Sequence, residues 1–254
     1  MNRPSRRTFL TAAAAAGTAG LAGCTDTADD ALPSVPQTRL SEAGWTRLRE
    51  QRRPLFDRVV DGVAVNAVTH AVRFGNDERW RRLRNATLGR VDGRLNSFFA
   101  GRVTFSAPQQ PAPTADALCA ATERAARDAF RRRLGARGFR AVDAVDRGEL
   151  AAANGETART TTYTAAFPVE GFRLSVGSRE LSVSADAIDA EGFLAVWPDG
   201  DSVLAAGGTY AAERGRRTVT EPLTDDISVT VDVDLQFDPD QYARDMQRLV
   251  AGVT

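Results

Sequence analysis

A strict alternation of apolar and polar residues near the C-terminus constrains the fold more than any other feature of the chain. The apolar positions of this segment are Ile227, Val229, Val231, Val233, Leu235 and Phe237, and every residue between them is Ser, Thr, Asp or Gln. Successive side chains of a β-strand point to opposite faces, so this period of two predicts a strand with one buried face and one solvated face. The chain must therefore build a sheet.

A helix is predicted directly after this strand. Asp238 is a suitable N-cap residue, and Pro239 suits the first helical position. The apolar residues that follow have the i, i+4, i+7, i+8 spacing of a helical stripe: Tyr242, Met246, Leu249 and Val250. The chain is therefore expected to end in a helix that docks on the sheet containing residues 227–237.

The rest of the body shows short strand patterns and two more helices, so the predicted fold class is α+β, with an antiparallel β-sheet packed against a mid-chain helix and the C-terminal helix. A Pro-rich break at 106–113 separates a front part, 39–106, from a back part, 114–254, and the sequence leaves open whether these form one domain or two. Helices are predicted at 77–86 and 114–134. Strands are predicted near 45–53, 59–74, 98–105, 139–145, 160–167, 172–176, 180–185, 192–197 and 202–206.

The N-terminus carries export and lipidation signals. Arg6 and Arg7 form the twin-arginine pair of a Ser-Arg-Arg-Thr-Phe-Leu motif, and an uncharged run follows at residues 10–23. This run is shorter than the roughly 20 apolar residues of a membrane-spanning helix, so it is typical of a signal peptide. Leu21-Ala22-Gly23-Cys24 matches a lipobox, in which Cys24 becomes the lipidated N-terminus. Residues 1–23 are predicted to be removed, and 24–38 to form the lipidated Cys and an acidic tether.

This opening resembles the exported lipoproteins of haloarchaea. All 33 basic residues are Arg, and Asp is twice as frequent as Glu, a composition that is similar to haloarchaeal proteins, although the net charge is zero. The resemblance implies two partners, the twin-arginine translocase during export and a membrane lipid through Cys24, and a location at the outer face of the cell membrane. The mature chain keeps 30 basic and 33 acidic residues, so no nucleic-acid partner is expected.

The body resembles uncharacterised haloarchaeal lipoprotein families, and its order of elements is similar to the back half of PsbP-like domains. Neither resemblance implies catalytic residues. A Ser-His-Asp triad would have to use the single histidine, His70, which we interpret as a half-buried structural residue. Cys119 lies on the apolar face of the 114–134 helix and is interpreted as a buried thiol rather than a nucleophile. No catalytic residue and no cofactor are predicted.

Two charged groups were considered as binding sites. The first is a basic helix face formed by Arg124, Arg127, Arg131 and Arg132, which we interpret as a solvated surface because Glu123 and Asp128 lie four residues from these arginines. The second is an acidic set formed by Asp232, Asp234, Asp238 and Asp240. We interpret this set as the solvated strand face and the helix cap, so no metal site is predicted.

Two function classes remain. The favoured one is a non-enzymatic surface lipoprotein that binds a small molecule, a polymer or a partner protein in the groove between sheet and helices. The alternative is a carboxylate-dependent extracytoplasmic enzyme that would use residues such as Asp225 and Asp226. Asn85, in the Asn85-Ala86-Thr87 sequon, is predicted to be N-glycosylated after export.

Overall fold

The computed structural model describes residues 32–254 apart from 88, 90–93, 108–110, 170–171, 177–178, 184–186 and 223–227. The signal peptide, Cys24, Asp225 and Asp226 lie outside the described residues. The helices are α1 (Gln37–Glu42), α2 (Asp77–Ala86), α3 (Ala115–Ala136) and α4 (Pro239–Ala251). The strands are β1 (Trp45–Val60), β2 (Val63–Asn76), β3 (Ser97–Ser106), β4 (Arg140–Ala151), β5 (Thr157–Phe167), β6 (Phe172–Val176), β7 (Arg179–Val183), β8 (Ile188–Asp199), β9 (Ser202–Ala211), β10 (Arg216–Pro222) and β11 (Ser228–Asp234).

Seven strands form one antiparallel sheet in the order β1-β2-β3-β9-β8-β5-β4. The front part of the chain contributes β1 to β3, and the back part contributes the other four strands. Hydrogen bonding between β3 and β9 joins the two parts, for example where Phe98 pairs with Gly208. The Pro-rich break therefore links β3 to α3 within one body, and the predicted α+β class is confirmed.

The two long helices lie on opposite faces of this sheet. A Cβ atom added at Gly192 would lie 2.8 Å from Phe130 of α3, whereas one added at Gly208 would lie 2.6 Å from Met246 of α4. Gly192 pairs with Thr209, the neighbour of Gly208, and neighbouring residues of a strand point to opposite faces. The large sheet is thus covered by the mid-chain helix on one face and by the C-terminal helix on the other, an arrangement of faces that the sequence does not predict.

The C-terminal strand forms, but its partner differs from the expectation. β11 pairs with β10 in a separate two-stranded sheet, while α4 packs on β9 of the large sheet. The expectation that α4 docks on the sheet containing residues 227–237 is therefore wrong, because an alternating pattern specifies a strand and its faces but not its neighbour. The solvated face is confirmed, since Thr230 and Asp232 are exposed, and Leu235 and Phe237 just after the strand are buried.

β1 and β2 form one long hairpin at the edge of the sheet. The sequence predicts an interruption between 53 and 59, where Pro54 lies, yet β1 continues through it with a register shift between Pro54 and Phe56. Proline is tolerated there because an edge strand has one side without a hydrogen-bonding partner. The hairpin turns at Asp61 and Gly62, which both adopt positive φ angles, of 49° and 81°, as turns between twisted strands require.

The two ends of the described chain meet. The backbone N–H of Thr254 donates to the carbonyl of Ser34 at 3.0 Å, and the N–H of Ser34 donates back at 2.6 Å. Pro33 is buried, and α1 begins at Gln37. Residues 33–38, which the sequence assigns to the tether 24–38, therefore belong to the folded body, because backbone pairing with the C-terminus fixes them.

Candidate functional site

Four arginine side chains converge on one cavity between α3 and the sheet. Arg73 comes from β2, Arg94 from the segment before β3, and Arg133 and Arg137 from the last turn and C-cap of α3. We call this cavity of about 340 Å³ the arginine pocket. Its volume lies at the lower end of the range of about 300 to 1,000 Å³ that is typical of small-molecule sites.

The end of α3 places Arg137 in the pocket. Gly138 has a φ of 89°, and the N–H of Phe139 donates to the Leu134 carbonyl at 3.1 Å, which closes the helix in a Schellman-type turn. Arg137 then donates from Nη1 to Ser97 Oγ at 2.8 Å and from Nη2 to the Arg94 carbonyl. Burial, and then the nearby charge of Arg133, lower the pKa of Arg137 to about 10, so it is still a cation at neutral pH.

The other α3 arginine is also surrounded by positive charge. Burial, followed by the charges of Arg49 and Arg53, lowers the pKa of Arg133 to about 10. Within the described part of the chain, neither Arg133 nor Arg137 forms an ion pair with a carboxylate. Arg73 adds a buried Nη2 atom without a hydrogen-bond partner among the described residues. The pocket therefore holds a positive charge that the described side chains compensate only in part.

Arg94 lies at the edge of the pocket, and its positive charge is compensated by a carboxylate. Its guanidinium forms an ion pair with Asp77 of α2. That hydrogen bond, followed by one from the Thr46 hydroxyl, lowers the pKa of the Asp77 carboxyl below its usual value. The Arg94 guanidinium also lies 5.2 Å from the Trp80 ring. Asp77 is thus a permanent anion that holds Arg94 at the rim.

The remaining wall of the arginine pocket is apolar. The Phe99 and Phe130 rings have centroids 6.0 Å apart. Leu134 is buried, while Leu48 stays 45 % exposed at the edge of the pocket. The site thus combines guanidinium donors with a hydrophobic surface, an arrangement that suits a ligand with one charged end.

A second, larger cavity of about 750 Å³ lies between α1, α2 and α4. Arg79 of α2 forms a 2.8 Å ion pair with Asp245 of α4, and its guanidinium stacks 3.8 Å from the centre of the Tyr242 ring. The side chains of Arg79 and Asp245 are 11 % and 17 % exposed. This buried pair is a structural contact between the two helices, so the cavity presents balanced charge.

The arginines of the pocket do not stand out in the sequence. Each is one of 33 arginines, and three separate elements bring them together. One local signal was available, because Arg133 and Arg137 are four residues apart on α3, where like charges repel. This repulsion is worth only about 0.2–0.5 kcal/mol, and Arg127 and Arg131 have the same spacing, so the signal does not by itself identify a site.

The residues proposed from sequence lie elsewhere. Cys119 is 3 % exposed, which confirms its predicted burial, and burial raises the pKa of its thiol. His70 is half-buried on β2, as predicted. On α3, the predicted pair between Glu123 and Arg127 forms at 3.4 Å, and Glu123 also reaches Arg159 of β5 at 3.6 Å. The basic face of α3 is therefore paired in part with neighbouring acids.

The acidic set near the C-terminus is engaged in local contacts. Asp232 accepts a hydrogen bond from Thr218 at 2.6 Å, Asp234 pairs with Arg216, and Asp238 caps α4 by accepting from the Gln241 N–H at 3.0 Å. Among the described residues, no group of three or more His, Cys, Asp or Glu side chains could hold a metal ion.

The sequon lies at the end of α2. Asn85 is exposed, whereas Thr87 is buried and donates its hydroxyl to the Leu83 carbonyl at 2.8 Å. We predict a glycan on Asn85, because the asparagine amide faces solvent, where a transferase can reach it. Mass spectrometry of the Asn85 peptide from native membranes checks this, with Asn85→Gln as the control for assignment of the mass shift. A fully unmodified peptide at good coverage contradicts it.

Comparisons with known proteins add a family but no relative with an established role. A family model described as a domain of unknown function, DUF6517, matches residues 32–254. Neither the curated proteins nor the solved structures contain a match to the chain. Among the helices of the described residues, none is both long and apolar enough to span a membrane.

Proposed function

The chain belongs to the DUF6517 family over residues 32–254, and we propose that this domain is a non-enzymatic binding module, held at the outer face of the cell membrane by a lipid on Cys24. The single observation that supports binding is the arginine pocket. Its four arginine residues line a cavity of about 340 Å³, and only Arg94 has a carboxylate partner among the described residues. A protein interior that gathers unpaired cations needs an anion to compensate them.

The alternative proposal is a carboxylate-dependent extracytoplasmic enzyme. Such an enzyme requires a carboxyl group whose pKa is raised, so that it can donate a proton near neutral pH. Asp77, the carboxyl group beside the arginine pocket, has its pKa shifted in the opposite direction. Asp225 and Asp226, which the enzyme hypothesis names, lie outside the described residues. The binding function is therefore favoured at this site.

The location in this proposal is supported by the sequence. The Arg6-Arg7 pair, the uncharged run and the lipobox occur in the order that export and lipidation require. With the Lys-free, Asp-rich composition, they support a place among the twin-arginine-exported lipoproteins of haloarchaea. The proposed partners are the twin-arginine translocase during export and the membrane lipid afterwards, with no nucleic acid.

The anchoring part of the proposal is tested at Cys24. The variant Cys24→Ser is expected to leave the membrane fraction and to accumulate as a soluble protein, because serine lacks the thiol that accepts the lipid. Cell fractionation and intact-mass measurement of both proteins check this. Cys119→Ser is the matched control, since Cys119 is buried in α3, and it should remain membrane-bound. If Cys24→Ser stays in the membrane fraction with an unchanged mass, Cys24 is not the site of the lipid anchor.

A further inference from the structure

We propose that the arginine pocket binds a small organic anion, in which a phosphate or carboxylate group is joined to an apolar body. This inference rests on the proposed binding function and adds the chemical class of the ligand. It follows from three properties of the pocket: its uncompensated charge, its apolar wall and its place in the fold.

The charge requires an anion. Arg133 and Arg137 are four residues apart on α3, Arg49 and Arg53 lie near Arg133, and none of these four forms an ion pair in the described part of the chain. Bringing like charges together in a partly desolvated cavity is unfavourable, since the interior screens them less than water does. An oxyanion in the pocket would remove this repulsion and satisfy the donors at the same time.

The donors suit an oxyanion in chemical type as well as in charge. Guanidinium groups present a planar fork of N–H donors that matches the oxygens of a carboxylate or a phosphate. Arg73 supplies a buried Nη2 that lacks a partner among the described residues, and Arg137 is fixed by Ser97 and the Arg94 carbonyl. A side chain held in this way is already oriented before the ligand arrives.

The apolar wall of the pocket indicates that the rest of the ligand is apolar. The ring of Phe99 and the exposed side chain of Leu48 line the same cavity as the guanidiniums. A free inorganic ion would leave this surface in contact with water. A ligand with an apolar body of limited size covers it, and the volume of about 340 Å³ limits that body to a short chain or a single ring.

The pocket lies far from the point where the chain enters the folded body. The chain enters the body at Ser34, which pairs with Thr254, close to where Ala153 of the β4–β5 turn bonds to Ala251 of α4. The arginine pocket lies at the opposite end of the strands, beside Ser97, the first residue of β3. Ten residues of strand span roughly 30 Å, so the pocket lies about that far from the point where the chain enters the body.

The test uses purified full-length Cys24→Ser protein and isothermal titration calorimetry with four probes: octyl phosphate, octanoate, inorganic phosphate and octyl glucoside. We expect octyl phosphate or octanoate to bind at least 10-fold more tightly than inorganic phosphate, and octyl glucoside not to bind. The bound probe should be recovered chemically unchanged. Arg133→Gln should weaken binding at least 10-fold, whereas Arg132→Gln, at the exposed neighbouring position of α3, should leave it unchanged.

A second measurement separates binding from a structural role. Without ligand, Arg133→Gln should have the same melting temperature as the parent protein or a higher one, because the substitution removes repulsion rather than a contact. A lower melting temperature together with unchanged affinity would overturn the assignment. A further experiment measures whether the protein sediments with lipid vesicles. Sedimentation with phosphatidylglycerol vesicles but not with phosphatidylcholine vesicles, together with its loss in Arg133→Gln, would show that the bound anion is a lipid headgroup. This result would overturn the proposal of a soluble ligand.

The outcomes also distinguish this inference from the proposed function. Binding of octyl glucoside as tight as that of octyl phosphate would overturn the anionic class, yet leave a binding module. Equal affinity for inorganic phosphate and octyl phosphate would overturn the role of the apolar wall. If none of the four probes binds, the organic-anion proposal fails. The binding function fails separately if protein isolated from its own membranes carries no small molecule that native mass spectrometry detects.

Discussion

Replacing Gly208 with alanine is expected to lower the free energy of unfolding by about 3 kcal/mol or more, because a side chain at this position has no space. Gly208 lies on β9 in the middle of the large sheet, where an added Cβ would overlap the backbone oxygen of Ser97 and lie 2.6 Å from Met246 Cε. Met246 can adapt, since methionine is flexible. The Ser97 backbone cannot move without disturbing the pairing of β3 with β9 that joins the two parts of the chain.

The measurement is urea unfolding of Cys24→Ser protein with and without Gly208→Ala, followed by circular dichroism. Gly135→Ala is the matched control. Gly135 lies in the last turn of α3, and nothing lies within 4 Å of an added Cβ there, so alanine should stabilise the helix by about 0.5–1 kcal/mol. Equal destabilisation by the two substitutions would show that lack of space at β9 is not the cause.

Replacing both Arg6 and Arg7 with lysine is expected to abolish export. The change keeps both positive charges but removes the planar guanidinium forks, and the proposal is that the translocase recognises the arginines as a pair. Unprocessed precursor that retains residues 1–23 should then accumulate inside the cell, and the membrane-bound form should disappear. Immunoblotting of cell fractions with intact-mass measurement checks both expectations.

Arg3→Lys is the control for this experiment, since Arg3 precedes the motif and carries the same charge. It should be exported and processed like the parent protein. Normal export of the double variant would exclude the twin-arginine route, whereas loss of export in Arg3→Lys as well would indicate a general sensitivity of the N-terminus to lysine.

Local signals predicted α2, α3 and α4, but not α1, which begins inside the segment assigned to the tether 24–38. The N-caps Thr114 and Asp238 accept hydrogen bonds from the N–H groups of Ala117 and Gln241, and the stripe of α4 is buried at Tyr242 and three later positions. These features depend on residues three or four apart, so the sequence contains all the information that they require. The same reasoning placed Cys119 on the buried face of its helix.

The sequence did not predict which distant segments pair with each other. The alternation in β11 did not reveal that β10 is its neighbour, and nothing near Ser97 indicates that β3 adjoins β9. The arginine pocket shares this difficulty, because it exists only once β2, the segment before β3 and the end of α3 have met. Arg73 and Arg137 therefore look like surface residues in the sequence, although the fold buries polar atoms of both.

The pairing of β3 with β9 also determines when, during synthesis on the ribosome, the large sheet can be completed. Ser97 and Thr209, which pair across this join, are 112 residues apart. A topology with such distant contacts folds slowly, since the entropy of closing the long intervening loop is lost before the contacts form. The β1–β3 meander would emerge first, with the open edge of β3 waiting for a strand that has not been synthesised. Until β9 has been synthesised, the backbone N–H and C=O groups along that edge lack the strand that pairs with them in the folded protein.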